Sequence, residues 1–78
     1  MTDIKAAITI DTSGLACPLP VLHTKRALDK ICRGEILEVI ATDLASEADI
    51  PVLIERLGHE LVEVKRAGGL LYFFIRKR

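Results

Sequence analysis

Apolar and polar positions alternate through the first segment of the chain. Ile4, Ala6, Ile8 and Ile10 fall on one side, and Lys5, Ala7, Thr9 and Asp11 on the other. That period of two predicts a strand over Ile4 to Asp11 with one buried face. Thr12-Ser13-Gly14 then supplies turn residues. After Cys17-Pro18-Leu19-Pro20 the period lengthens. Val21, Thr24, Leu28 and Ile31, with Ala27 and Cys32 beside them, predict a helix from about Pro18 to about Cys32 with a narrow apolar stripe. Pro18 and Pro20 would sit in its first turn, where missing N–H groups cost little, and Gly34 follows where a helix end favours glycine.

Ile36 to Thr42 is dense in aliphatic and β-branched residues and reads as a second, more buried strand. Asp43 to Ala48 is a polar connection. Ile50, Leu53, Ile54 and Leu57 then share the inward face of a second helix, with Gly58 at its end. Pro51 decides where that helix starts. A cap at Ser46 would place the ring inside the helix, whereas Asp49 as N-cap keeps it in the first turn, so the expected span is Asp49 or Ile50 to Leu57. Leu61 to Arg66 and Leu70 to Arg76 are strand-like runs joined by Ala67-Gly68-Gly69, which predicts an antiparallel hairpin. The order βαβαββ predicts an α/β (α+β) fold: a two-layer sandwich of a four-stranded mixed sheet with two helices on one face.

With 78 residues, the chain has room for one domain spanning 1–78. Eleven Lys plus Arg balance eleven Asp plus Glu, so no global field draws nucleic acid or an anionic membrane. Apolar runs such as Leu70 to Ile75 fall far short of the roughly 18–20 residues of a bilayer span. The N-terminus shows no basic segment followed by an apolar one, so a cytoplasmic protein without membrane contact is expected. Two cysteines, Cys17 and Cys32, are too few for a disulfide framework, and with His23 and His59 unpaired no metal site is expected.

Distinct chemistry is confined to Gly14-Leu15-Ala16-Cys17-Pro18-Leu19-Pro20. With Pro18 as the first helical residue, Cys17 is the N-cap or its neighbour, where free N–H groups and the positive dipole end favour an anion. A lowered thiol pKa is expected there, and the two prolines would hold the sulfur in a fixed, protruding position. That suits either a nucleophilic or a sulfur-carrying cysteine. Read structurally, Cys17 would instead be a small apolar residue filling a loop pocket. Cys32, beside Leu28 on the inner stripe, is expected in the core. About fifteen helical residues would separate the two cysteines by roughly 22 Å, and a disulfide needs about 7 Å or less, so Cys32 is not expected to act as a resolving thiol.

Gly14-Leu15-x-Cys17-Pro18-x-Pro20 ahead of a helix, then Thr42-Asp43, Asp49-Ile50-Pro51 and Gly58-His59-Glu60-Leu61, resemble the TusA (SirA-like) sulfur-carrier family from Asp11 to Arg78. The resemblance implies the same βαβαββ fold, also seen in the C-terminal domain of a translation initiation factor. It implies that Cys17 accepts sulfane sulfur as a persulfide and hands it to another protein's cysteine. No cofactor is implied beyond that covalently held sulfur, and Gly14, Pro18 and Pro20 would shape the site. Donors would be a cysteine desulfurase or a rhodanese. Acceptors would be relay proteins of the TusBCD/DsrE type, serving tRNA thiolation, molybdenum-cofactor synthesis or sulfur oxidation, so any tRNA link is indirect. Leu19 stands where some members carry a carboxylate, which leaves an apolar rim of Leu15, Leu19 and Pro20 beside the sulfur. Sulfur moves through a protein-bound intermediate but turnover needs two partners, so calling the chain an enzyme is partly a matter of naming.

His23, Arg26, Lys30 and Arg33 recur at helical spacing and form a basic stripe. It reads either as a solvated helix face or as a docking strip for an acidic partner surface or tRNA backbone. In the second reading Leu15, Leu19, Arg26 and Lys30 contact partners. Aromatic residues make up 4% of the chain, which argues against base-stacking recognition. Arg76-Lys77-Arg78 is expected to be a mobile tail. Asp43 and Asp49 are expected in structural roles, as loop residue and helix cap, His59 as a capping or strand-entry residue, and Asp11 bonding loop N–H groups. An RNA- or protein-binding regulatory module could use the basic stripe, and a thiol redox sensor could use Cys17. Nothing in the sequence separates sulfur from selenium.

Overall fold

The sheet takes up fewer residues of the first alternating segment than its period predicts. In a computed structural model, which describes residues 5–78, the first strand β1 is Ile8–Asp11. The expected start at Ile4 lies outside the described residues, and residues 5–7 precede the strand. The remaining elements are α1 Leu19–Leu28, β2 Ile36–Ala41, α2 Ser46–Leu57, β3 Glu60–Ala67 and β4 Leu70–Arg76. This is the predicted βαβαββ order, and it builds the predicted four-stranded mixed sheet. The strands lie in the order β1-β2-β4-β3, with β1 parallel to β2 and β4 antiparallel to both its neighbours. A parallel pair needs a crossover, and α1 supplies it.

Both helices cover one face of the sheet. Leu37, Val39 and Ala41 of β2 and Leu71, Phe73 and Ile75 of β4 point alternately into a core completed by Ala27, Leu28, Ile31, Ile50 and Ile54. On the opposite face Phe74 is also buried, with the Lys65 ammonium 5.6 Å from its ring centroid. Gly68 and Gly69 both have positive φ (56° and 81°), the combination that closes a two-residue hairpin between β3 and β4.

The first helix is shorter than its periodicity predicts. It ends at Leu28, Lys30 N–H bonds back to Ala27 O, and the Glu35 carboxylate takes the Cys32 N–H at 2.6 Å. These local bonds replace helical ones while Ile31 still turns into the core. Cys32 is therefore exposed rather than buried, and Gly34 lies in the following loop rather than at the helix end.

The second helix is longer than predicted and starts at Ser46, with Pro51 inside it. Its first turn is tightened: Ser46, Glu47 and Ala48 N–H groups bond to the residue three before them, and Asp49 N–H bonds to Ala45 O. Burial of Ser46 and Ile50 against the sheet holds that turn despite the proline. Leu57, expected inward, is 39% exposed. Gly58 ends the helix with φ of 77°, and His59 N–H closes onto Ile54 O.

The expected mobile tail is anchored. Lys77 exchanges backbone bonds with Gly34 and Glu35 and donates its ammonium to Ile31 O, and Arg76 and Arg78 both reach Glu60. Arg78 N–H bonds His59 Nδ1, which places His59 at a strand entry as expected.

Candidate functional site

The loop that carries Cys17 is tied to the end of β2. Buried Thr12 donates both its N–H (2.7 Å) and its hydroxyl (2.6 Å) to Ile40 O. Gly14, whose φ of 82° favours glycine, donates its N–H to Thr42 Oγ1 at 2.8 Å. Cys17 donates its N–H to Asp43 Oδ2 at 2.9 Å. Asp11 accepts the Ser13 N–H at 2.9 Å, the loop-bonding role expected of it. Thr42 and Asp43, which follow β2, thus fix where the cysteine loop sits.

The Cys17–Pro18 peptide is cis, and Pro18 is the N-cap of α1. Cys17 therefore stands one residue outside the cap, not at it. Its thiol is exposed and donates to Asp49 Oδ2 on α2, with Sγ 3.3 Å from that oxygen. The hydrogen bond to Asp49 pushes the thiol pKa up, and partial desolvation and the charges of Asp49 and Asp43 push the same way. This reverses the expectation of a lowered pKa. Cys17's own N–H is taken by Asp43, and a full carboxylate charge beside the sulfur outweighs the half-charge of a helix end.

An open groove of about 400 Å³ runs from the sulfur between α1 and α2. Pro18 and Val21 line one side, and Asp49, Val52, Leu53 and Arg56 line the other. The α2 residues recur at the spacing of one helix face. That spacing lies within the span expected from the sequence, but Leu53 was expected inward and Asp49 as the helix cap, so the four were not read as one face. An exposed thiol at the head of such a groove can take or give a group by direct displacement. Among the described residues no His, Cys, Asp and Glu side chains cluster in a way that would hold a metal ion.

The other expected site residues divide. Leu15 is half-buried and Leu19 is 42% exposed, so both remain available at the surface. Pro20 is buried and cannot form part of the rim; its carbonyl accepts the Thr24 hydroxyl at 2.7 Å. Arg26 is exposed on α1, but Lys30 and Arg33 lie beyond the helix end, so the basic stripe does not continue along one helix. Asp49 is not the expected cap. It and Asp43 are the site residues that sequence reasoning assigned to structure alone.

Residues 8–77 match the family described as sulfurtransferase TusA. The chain is 44% identical over 68 residues to the sulfur carrier protein TusA of Allochromatium vinosum, covering 87% of this chain and 90% of that one. It is 40% identical over 74 residues to YrkF of Bacillus subtilis, a match spanning 95% of this chain but only 40% of YrkF. Among solved structures, a SirA-like protein from Desulfitobacterium hafniense superposes with a TM-score of 0.79 at 28% identity, over 88% of this chain and 95% of that one.

Proposed function

Because the chain belongs to the TusA family and has its sulfur-carrier role, we propose that the carried atom rides on Cys17 as a persulfide. The observation that carries this reading is the exposed Cys17 thiol at the head of a groove, on a loop fixed by hydrogen bonds from Thr12, Gly14 and Cys17 itself. In loading, Cys17 sulfur attacks the terminal sulfur of a donor persulfide. The donor S–S bond breaks, its electron pair leaves on the donor cysteine with a proton, and a new S–S bond forms on Cys17. No cofactor takes part, since the oxidation level of the moved sulfur is unchanged.

A sulfur carrier passes its cargo to partner proteins. The donor is a cysteine desulfurase or rhodanese and the acceptor a relay protein with a reactive cysteine, any tRNA product being reached through that acceptor. Leu15 and Leu19 give the partner short-range apolar contact, while Arg26 and Lys30 steer an acidic surface toward the site. The protein acts in the cytoplasm, where thiols stay reduced. A thiol redox sensor would instead give a sulfenate or an intermolecular disulfide under mild oxidant with no sulfur transfer, and an RNA-binding module would bind RNA unchanged in Cys17→Ser.

The reading is tested by treating the full chain with a cysteine desulfurase and cysteine, then taking intact masses of wild type, Cys17→Ser and Cys32→Ser. One added, reductant-labile sulfur is expected on wild type and Cys32→Ser and none on Cys17→Ser. Labile sulfur that survives in Cys17→Ser overturns it.

A further inference from the structure

Two carboxylates bracket Cys17, and among the described residues neither forms an ion pair. Asp49 Oδ2 lies 3.3 Å from Sγ, and Asp43 Oδ2 lies 2.9 Å from the Cys17 nitrogen. Glu47, Glu60 and Glu63 each pair with a Lys or Arg, whereas neither Asp43 nor Asp49 does among the described residues. Charged groups near the sulfur include Asp43 from the β2–α2 connection, Asp49 from α2, and Arg56 about two turns further along α2 in the groove lining. The α1 side of the groove presents only Pro18 and Val21.

Such a charge does not treat the two states of the site equally. Empty Cys17 is a thiol and gives its hydrogen to Asp49. Loaded Cys17 is a persulfide, more acidic than a thiol, and at neutral pH it is an anion with no proton to give. We infer that Asp49 biases Cys17 against retaining sulfur, stabilising the empty thiol and repelling the anionic persulfide, so that cargo leaves more readily than from an isolated cysteine. This rests on the persulfide reading above. In the hand-off the acceptor thiol's proton first neutralises the persulfide, the acceptor thiolate attacks the terminal sulfur, and the S–S bond to Sγ breaks with its electron pair left on Sγ. The proton given up by the acceptor thiol ends on Sγ, in the hydrogen bond to Asp49. One S–S bond forms as one breaks, with no outside oxidant or reductant. The raised thiol pKa has the same origin.

The test equilibrates the full chain, in a Cys32→Ser background, with glutathione and glutathione persulfide and reads loaded against empty protein by intact mass. Asp49→Asn keeps the side-chain shape and removes its charge. Its loaded-to-empty ratio is expected to rise by about two- to tenfold, and Asp49→Glu to return toward the parent ratio. The pH midpoint of iodoacetamide alkylation should fall in Asp49→Asn, a readout that a purely structural role would leave in place. Equal ratios in parent and Asp49→Asn, with both loading on Cys17, overturn the inference and leave the persulfide reading standing. Failure of the parent to load Cys17 overturns both.

Discussion

At Cys17 the surrounding charge opposes the thiolate that sulfur chemistry uses. The free protein therefore holds a protonated thiol over a wider pH range than an ordinary cysteine. Alkylation of Cys17 against pH should show a midpoint above that of a model thiol. Because the Asp49 hydrogen bond is the leading cause and the Asp43 charge the last, Asp49→Asn should lower the midpoint more than Asp43→Asn. The sign carries over to stability. The folded chain binds this proton more tightly than the unfolded one, so the interaction favours folding below the ordinary thiol range and fades as pH rises through the raised value. The urea-midpoint difference between wild type and Cys17→Ser should shrink accordingly in alkaline solution. The cysteine itself was legible in the sequence, from the prolines around it and the turn before it. Its electrostatics were not, because the group that sets them is 32 residues away and reaches the sulfur only through tertiary packing.

At the scale of elements, the two helices erred in opposite directions for one reason: side-chain burial and local bonds outrank propensity. Nothing in Asp29-Lys30-Ile31-Cys32 forbids a helix, yet Glu35 captures the Cys32 N–H and α1 stops at Leu28. In α2, Pro51 should have set the start, yet buried Ser46 and Ile50 draw another turn onto the sheet. Pro51 leaves Glu47 O without an i→i+4 donor, so Pro51→Ala should raise stability by about 1–3 kcal/mol in urea denaturation. The helix end tests the reverse. Gly58 holds φ of 77°, and Gly58→Ala should cost about 1–2 kcal/mol. The strands were the readable part, since a period of two with a Gly-Gly turn leaves few alternatives.

For the molecule as a whole, the core that supplies stability lies apart from the residues proposed to meet partners. Phe73 is fully buried in the central strand β4 between the two helices and the sheet interior. At 78 residues the domain holds on the order of 4–12 kcal/mol. Phe73→Ala should remove about 3–5 kcal/mol of it, enough to leave the chain partly unfolded in a thermal melt. Arg26 and Lys30 lie outside that core, exposed and away from the groove. Arg26→Glu with Lys30→Glu should leave the melt in place and slow sulfur transfer at low salt, with the difference closing as ionic strength screens the steering. The layered fold was legible because each apolar face had one place to go. The C-terminal basic residues were misread because the Glu60, Ile31 and His59 partners that hold them come from elsewhere in the chain. Passage of the carried sulfur through Cys17 is the central proposal. Its most direct test is a chase: protein loaded with isotopically labelled sulfur, freed of donor, is mixed with an acceptor protein bearing a reactive cysteine. Label should leave Cys17 and appear on the acceptor mole for mole. Label that stays on Cys17, or departs only as free sulfide, would contradict it.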